Sequence, residues 1–170
     1  MSEKLKIALI VSLITLLCVL GSRHTLAADY LIRFGPSINK EGSTDGSSKV
    51  FGLRREEKLM DGISTAFEVG GYVDNAGQGR RSSGLGKAQL GVTPGMRTGL
   101  YGYGFLGPCI ITAKDTLLGG YGQFCTDIGF GIRDKDSMMT VGYGHISSAG
   151  LAEPNTGRDF LLFSVGLHFD

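Results

Sequence analysis

The chain has 170 residues, of which 28 are glycine, none is tryptophan and 19% are charged, and its formal net charge is +1. This length is enough for one domain with a sizeable core. A charge so close to zero, with no basic patch, argues against a nucleic-acid partner.

The first 27 residues differ in character from the rest of the chain. Lys4 and Lys6 precede an apolar run at 7–20, and small residues near Ala27 then offer a cleavage site. The run is short for a spanning helix, and nothing comparable follows it. We therefore expect residues 1–27 to be a secretory signal peptide that is removed, and residues 28–170 to form one β-barrel domain.

The remaining sequence alternates between polar and apolar residues and shows no convincing amphipathic helix. Clusters of Gly, Asn, Asp, Ser and Pro separate the alternating segments, as expected for strands joined by turns. Eight strands are predicted, near 30–35, 49–56, 64–74, 82–92, 99–110, 117–133, 138–147 and 159–169. Alternation alone would also suit a soluble β-sandwich.

The two faces of these strands differ in the size of their side chains. Aromatic and branched residues fill one face, whereas Gly, Ser and scattered charges fill the other, which is typical of a lipid-facing exterior around a narrow interior. On this basis Tyr101, Tyr103 and Phe105 are predicted to face lipid. The charged residues expected at or near inward positions are Arg33, Glu68, Lys87, Asp127 and Arg133.

The predicted fold class is therefore all-β, an eight-stranded antiparallel transmembrane β-barrel of the outer-membrane type. A barrel of this size is filled by side chains and should not be a pore. A soluble, secreted β-barrel that binds a small apolar ligand is the alternative fold.

Two cysteines, Cys109 and Cys125, follow the expected signal peptide. An oxidising compartment would permit a disulfide between them, and two unpaired side chains packed in strands are an equally good interpretation. Their spacing does not decide, because a bridge needs the two Cα atoms within roughly 7 Å.

Three residues that suit acyl-transfer chemistry share one outward face of the last two strands. If these strands pair symmetrically about Ala152, His145 and Asp159 are directly opposed, with Cβ atoms roughly 4.5–5.5 Å apart. Ser147 lies two residues beyond His145 on the same face. The set then supplies a nucleophile, a base and an orienting acid. Glu153 is a second possible acid, but it fits the hairpin register less well.

Each of these residues also has an ordinary structural interpretation. A lone histidine at a strand end is usually a polar rim residue, serines suit turns, and an aspartate can simply begin a strand. Their convergence on one outward face favours the catalytic interpretation, because polar groups facing lipid are costly unless used or paired.

The position of the three residues suggests a substrate. With both termini on the periplasmic side, the connection between the last two strands lies outside, near the outer leaflet. In a Gram-negative outer membrane that leaflet is lipopolysaccharide, whose lipid A anchor carries ester-linked acyl chains.

Residues 124–133, 144–151, 154–157 and the terminal strand resemble the lipid A 3-O-deacylase (PagL) family. The motif-bearing resemblance covers about the last third of the chain. It implies an outer-membrane barrel that removes the 3-position ester-linked acyl chain of lipid A with a serine, histidine and acid triad, without a metal or other cofactor. Carried over by position, the three roles fall on Ser147, His145 and Asp159.

The sequence departs from that family at two positions. Ser148 stands where the family typically has the asparagine implicated in stabilising the oxyanion, and Asp159 stands where the best-known members have glutamate. We expect the Ser148 hydroxyl and the backbone N–H of Gly150 to supply oxyanion donors instead, at some cost in rate.

The predicted function is a serine-type esterase in the outer membrane that acts on lipid A of lipopolysaccharide, with its active site facing the outer leaflet. The alternative is a non-catalytic eight-stranded outer-membrane barrel that serves in adhesion or envelope anchoring. Whether the barrel forms a homodimer stays open.

Overall fold

The computed structural model describes residues 27–38, 44–74, 81–93, 98–113, 118–153 and 155–169. The expected signal peptide therefore lies outside the described residues, apart from its last position. These ranges contain eight strands: β1 (Ala28–Ile38), β2 (Thr44–Met60), β3 (Ile63–Asp74), β4 (Arg81–Val92), β5 (Gly99–Ile111), β6 (Gly122–Arg133), β7 (Ser137–Ser147) and β8 (Arg158–Phe169). No helix long and apolar enough to cross a membrane occurs within these ranges.

The strands correspond one to one with the predicted segments. Most extend further than predicted, whereas the long segment at 117–133 contains strand only from Gly122 onward. Each strand pairs antiparallel with the next, and β1 pairs with β8 to close the barrel. The predicted eight-stranded antiparallel barrel is thus confirmed.

The barrel has two distinguishable ends. The terminal end holds Ala28 and Phe169, together with the turn at 61–62 and the turn at 134–136. The opposite end, called the loop end here, holds the connection between β7 and β8. Closure satisfies the hydrogen bonds of every strand edge, which an open sheet in lipid could not do.

An apolar band covers the outside of the barrel. Along the strands, more exposed side chains alternate with less exposed ones, most regularly in β6. The exposed set includes Ile32, Phe51, Leu53, Val69, Leu90, Leu106, Ile128, Phe130, Val141 and Val165. Such a surface would aggregate in water and suits a bilayer, so the barrel is of the outer-membrane type.

One strand reverses the predicted faces. Tyr101, Tyr103 and Phe105 of β5 are buried inside the barrel, with 1–6% of their surface exposed, while Leu100 and Leu106 point outward. The prediction that the three aromatics face lipid is therefore wrong. The physical reason is that glycines on β6 and β7 leave room for large rings inside; the Tyr103 hydroxyl, for example, occupies space that a Cβ atom on Gly142 would need.

A layer of buried charges crosses the middle of the interior. Arg33 contacts Glu68 at 3.1 Å and Asp127 at 2.8 Å. Arg54 contacts Asp127 at 3.1 Å, and Lys87 lies 3.3 Å from Glu68. Arg33, Glu68, Lys87 and Asp127 thus occupy the inward positions predicted for them. Pairing is required here, because an isolated buried charge is costly.

Arg133, the fifth predicted inward charge, lies at the terminal end. Its guanidinium pairs with Asp29, whose other carboxylate oxygen lies 2.7 Å from His168 Nδ1. This cluster joins β1, β6 and β8 near the point where the barrel closes.

A disulfide joins Cys109 on β5 to Cys125 on β6, with the two Cα atoms 5.9 Å apart. Both residues are buried in the apolar cluster that fills the loop end of the interior. Of the two interpretations left open by the sequence, the structure has the bridged one. It ties together the two strands that flank the connection at 112–121.

Candidate functional site

The candidate site lies at the loop end, on the outer face of β7 and β8. These strands pair without a register shift, from Ser137 opposite Leu167 to Ile146 opposite Arg158. His145 is directly opposite Asp159, so the hairpin register predicted from symmetry about Ala152 is confirmed.

The two opposed side chains are in contact. His145 Nδ1 lies 2.6 Å from Asp159 Oδ1, and both side chains are about one-third exposed on the outside of the barrel. A charge-assisted bond of this kind fixes the ring orientation and places the proton of the neutral ring on Nδ1. The other ring nitrogen, Nε2, is then left as a base.

Tyr143 also contacts the carboxylate. It occupies the next outward position on β7, and its phenol donates to Asp159 Oδ1 at 2.5 Å. One carboxylate oxygen therefore accepts hydrogen bonds from two side chains of the same strand. From the sequence, no role was predicted for Tyr143. Its signal was the spacing of two residues from His145 on a predicted lipid-facing row.

Ser147 is the last residue of β7 and lies on the same outward row as His145. It is partly exposed and stands opposite Phe124 of β6. Within the described part of the chain, its hydroxyl makes no hydrogen bond to the His145 ring. Catalytic hydrogen bonds are often long or misaligned before substrate binds, so the spacing still permits the contact.

Gly157 packs against the imidazole. A Cβ atom built on this residue would lie 2.7 Å from His145 Cε1 and 3.4 Å from Nε2. Its φ of 76° lies in the left-handed region, which also favours glycine. Glycine is thus needed here both for the backbone and for the ring. In the sequence, Gly157 belongs to the segment 154–157 that resembles the family, and no function was predicted for it.

The connection after β7 begins with a tight turn. Ala149 and Gly150 have φ values of 51° and 81°, and Leu151 N–H donates to Ser148 O at 2.9 Å. Positive φ at both central residues identifies a type I′ turn. Ala149, two residues after Ser147, is therefore a non-glycine residue held in a sparsely populated conformation, which is a feature of functional sites.

Ser148 does not face the site. Its side chain is buried, and its hydroxyl donates to Ala152 O at 2.8 Å, while its backbone N–H donates to Asn155 Oδ1 at 2.8 Å. The expected role of the Ser148 hydroxyl as an oxyanion donor conflicts with this arrangement. Strand alternation is the reason, because the residue after an outward serine points inward.

The acid contacting His145 is Asp159, since the exposed Glu153 makes no contact with the ring in the described part of the chain. Next to the pair, Thr126 of β6 is opposite His145 and Ile38 of β1 is opposite Asp159, while Ile128 is opposite Tyr143. In the described ranges, no group of three or more His, Cys, Asp or Glu side chains could hold a metal ion. The arrangement itself can hold a neutral imidazole as a base against a lipid-facing surface.

Comparison with known proteins identifies one family. The sequence model described as lipid A 3-O-deacylase (PagL) matches residues 61–168, a range that contains the whole site. No curated protein matches the chain.

Solved structures with the same fold are outer-membrane barrels. The N-terminal β-barrel domain of Pseudomonas aeruginosa OprF is 14% identical, with a TM-score of 0.63, over 84% of this chain and 97% of that one. Yersinia pestis Ail, the attachment invasion locus protein, is 9% identical, with a TM-score of 0.55, over 84% and 97%. Pseudomonas aeruginosa OprG is 11% identical, with a TM-score of 0.50, over 85% and 97%. At these identities the likeness concerns the fold alone.

Proposed function

The chain belongs to the lipid A 3-O-deacylase (PagL) family, and from that premise we propose that it is a serine-type esterase of the outer membrane. Its substrate is lipid A within lipopolysaccharide, and its product is lipid A without the 3-position acyl chain. The observation that carries the assignment of residues is the 2.6 Å contact between His145 Nδ1 and Asp159 Oδ1 on an outer, lipid-facing surface.

The proposed reaction begins at Ser147. His145 Nε2 removes the hydroxyl proton, and the serine oxygen attacks the ester carbonyl to form a tetrahedral intermediate. The intermediate collapses, the sugar oxygen leaves with the proton from His145, and the acyl chain stays on Ser147. A water molecule, activated by the same ring, then releases the fatty acid and restores the serine. Asp159 holds the ring and stabilises its charged form throughout.

A site on the outer face of the barrel suits a substrate that is itself a membrane lipid. A lipid anchored in a membrane presents its ester bonds near the interface, and its acyl chains lie alongside the barrel rather than inside it. Ser147 is at the end of its strand, whereas apolar side chains such as Val141 continue down the same face. We propose that the loop end faces the outer leaflet, so that the scissile ester meets Ser147 while the chain packs against this surface.

Oxyanion stabilisation is proposed to come from the backbone. The Ser148 hydroxyl is occupied by Ala152 O. The N–H of Gly150, in the exposed type I′ turn that follows Ser147, has no acceptor in the described part of the chain. A backbone donor costs nothing to reorganise at the moment of reaction. The proposal therefore keeps Gly150 as a donor and removes the Ser148 side chain from that role.

The test is mass spectrometry of lipid A after incubation with the folded protein in detergent. Wild type should release one 3-hydroxyacyl chain, and Ser147→Ala should release none. Ser82→Ala is the matched control, because Ser82 is an exposed residue near the loop-end start of β4, away from the site. It should retain wild-type activity.

Two results would contradict the proposal. Full activity in Ser147→Ala would exclude this nucleophile while leaving the deacylase assignment intact. Intact lipid A with correctly folded wild-type barrel would instead favour the alternative, a non-catalytic barrel in adhesion or envelope anchoring.

A further inference from the structure

We propose that Tyr143 is a positioning residue for the deacylation, acting through Asp159 to hold His145 in its reactive tautomer. The inference rests on the proposed function, since it gives Tyr143 a part in that same site. Tyr143 does not touch the reacting atoms; its effect passes through the carboxylate.

The geometry of the carboxylate is the first argument. Asp159 Oδ1 accepts from the Tyr143 phenol at 2.5 Å and from His145 Nδ1 at 2.6 Å. His145 is directly opposite Asp159, whereas Tyr143 is opposite Leu161 and reaches Asp159 diagonally. The carboxylate thus lies between two outward donors that are two residues apart on β7.

The second argument is the surroundings of the charge. The Asp159 side chain is only 31% exposed, and it lies opposite Ile38 of β1 with Leu161 at the next outward position of β8. A partly desolvated carboxylate needs hydrogen-bond donors, and bonds to an ionised acceptor are the strong ones. With His145 as its only donor, the carboxylate could rotate away from the ring. The phenol supplies a second fixed donor that restricts this rotation and stabilises the negative charge.

The chemical consequence concerns the histidine tautomer. The neutral imidazole carries one proton, and the hydrogen bond at one nitrogen decides where it lies. A fixed Asp159 keeps this proton on Nδ1 and leaves the Nε2 lone pair for Ser147. A mobile Asp159 would let the ring take the other tautomer, in which Nε2 is protonated and cannot act as a base.

A competing interpretation is that Tyr143 belongs only to the aromatic residues that anchor the barrel at the membrane interface. Tyr143→Phe separates the two, because it keeps the ring on the outer face and removes only the hydroxyl. Tyr30→Phe is the matched control: Tyr30 is an exposed outer-face tyrosine near the terminal end, with its ring 5.5 Å from that of Phe169.

Kinetics with lipid A are the first measurement. Loss of a hydrogen bond to a charged group predicts a fall in kcat on the order of 10- to 100-fold for Tyr143→Phe, with KM unchanged. Tyr30→Phe should match wild type. In an Asp159→Asn background, Tyr143→Phe should have little further effect, since the carboxylate through which it acts is already gone.

Nitrogen NMR of histidine-labelled protein in micelles is the second measurement, with His145→Gln used to assign the signal. Wild type should show His145 protonated on Nδ1, and Tyr143→Phe should shift its population toward the Nε2-protonated form. Equal tautomer populations in wild type, Tyr143→Phe and Tyr30→Phe would overturn the proposal, even if kcat fell.

The NMR result does not require turnover, so the two proposals can fail separately. An inactive wild type with a tautomer shift in Tyr143→Phe would reject the deacylase function and retain only the control of the His145 tautomer by Tyr143. If wild type is active but Tyr143→Phe changes neither the His145 tautomer nor kcat, or only one of the two, the deacylase function is retained and the role of Tyr143 is rejected.

Discussion

Substitution of Gly157 by alanine should disable the site while leaving the barrel folded. The added Cβ would lie 2.7 Å from His145 Cε1, roughly 0.8 Å short of carbon–carbon contact. Because Ile146 O is 3.3 Å from the same point, the Cβ cannot simply move away from the ring. His145 must therefore shift, and a displacement near 1 Å in a catalytic group can cost about 10²-fold in rate. We expect a loss of that order in kcat.

The control for this prediction is Gly62→Ala in the turn between β2 and β3. Gly62 has the same φ of 76°, but nothing lies within 4 Å of its Cβ position. Both variants should lose roughly 1–2 kcal/mol of unfolding free energy from left-handed strain, measured by urea unfolding. Only Gly157→Ala should lose lipid A deacylation, measured by mass spectrometry. Equal activity in the two variants would refute the assigned position of His145.

Two further predictions concern the interior. Asp127→Asn removes a negative partner from Arg33, Arg54 and Lys87. It should lower the unfolding free energy by about 3–5 kcal/mol, whereas Glu57→Gln at the partly exposed Arg55–Glu57 pair should cost less than about 1 kcal/mol. Urea unfolding followed by circular dichroism tests both, and equal losses would contradict the importance of the buried layer. Joint substitution of Cys109 and Cys125 by alanine should lower the free energy of unfolding by about 3 kcal/mol, because the bridge spans 16 residues. Reduction of wild type should lower its urea unfolding midpoint similarly. An unchanged midpoint on reduction would argue against a stabilising bridge.

The fold and the pairing of the last hairpin could be predicted from the alternation of side chains along a β-strand and from the symmetry of the connection. In β8, every second residue from Leu161 to Phe169 is apolar, and in a β-strand such a row must share one face. The match with β7 then follows from centring the connection on Ala152, which opposes His145 and Asp159. Neither step needs knowledge of side-chain contacts.

The faces of β5 could not be predicted in the same way. Tyr101, Tyr103 and Phe105 are apolar enough for lipid and large enough to fill a barrel, so hydrophobicity alone does not assign them. What decides is the space left by glycines on other strands, including Gly131 beside the Tyr101 ring and Gly142 beside the Tyr103 hydroxyl. That space is a property of the closed barrel and is absent from any single strand.

The sequence did not predict which residues contact the His145–Asp159 pair, for a related reason. Gly157 matters because of its backbone conformation and its distance to the His145 ring. Tyr143 reaches Asp159 along a diagonal that depends on how the pair of strands twists. Periodicity gives the face on which a residue lies, but it does not give the interatomic distances that decide whether two neighbouring side chains form a hydrogen bond.

Under the proposed function, the residues that stabilise the barrel and the residues that carry the chemistry lie on opposite sides of its wall. The interior pairs its charges and buries a disulfide, so substitutions there should act on unfolding. The Asp159–His145–Tyr143 set lies on the outside and fills no core space. Its polar groups face a medium in which unpaired groups are costly, and they are paired with one another. Substitutions in this set should therefore reduce turnover far more than stability. That difference distinguishes a catalytic site from a polar cluster that stabilises the fold.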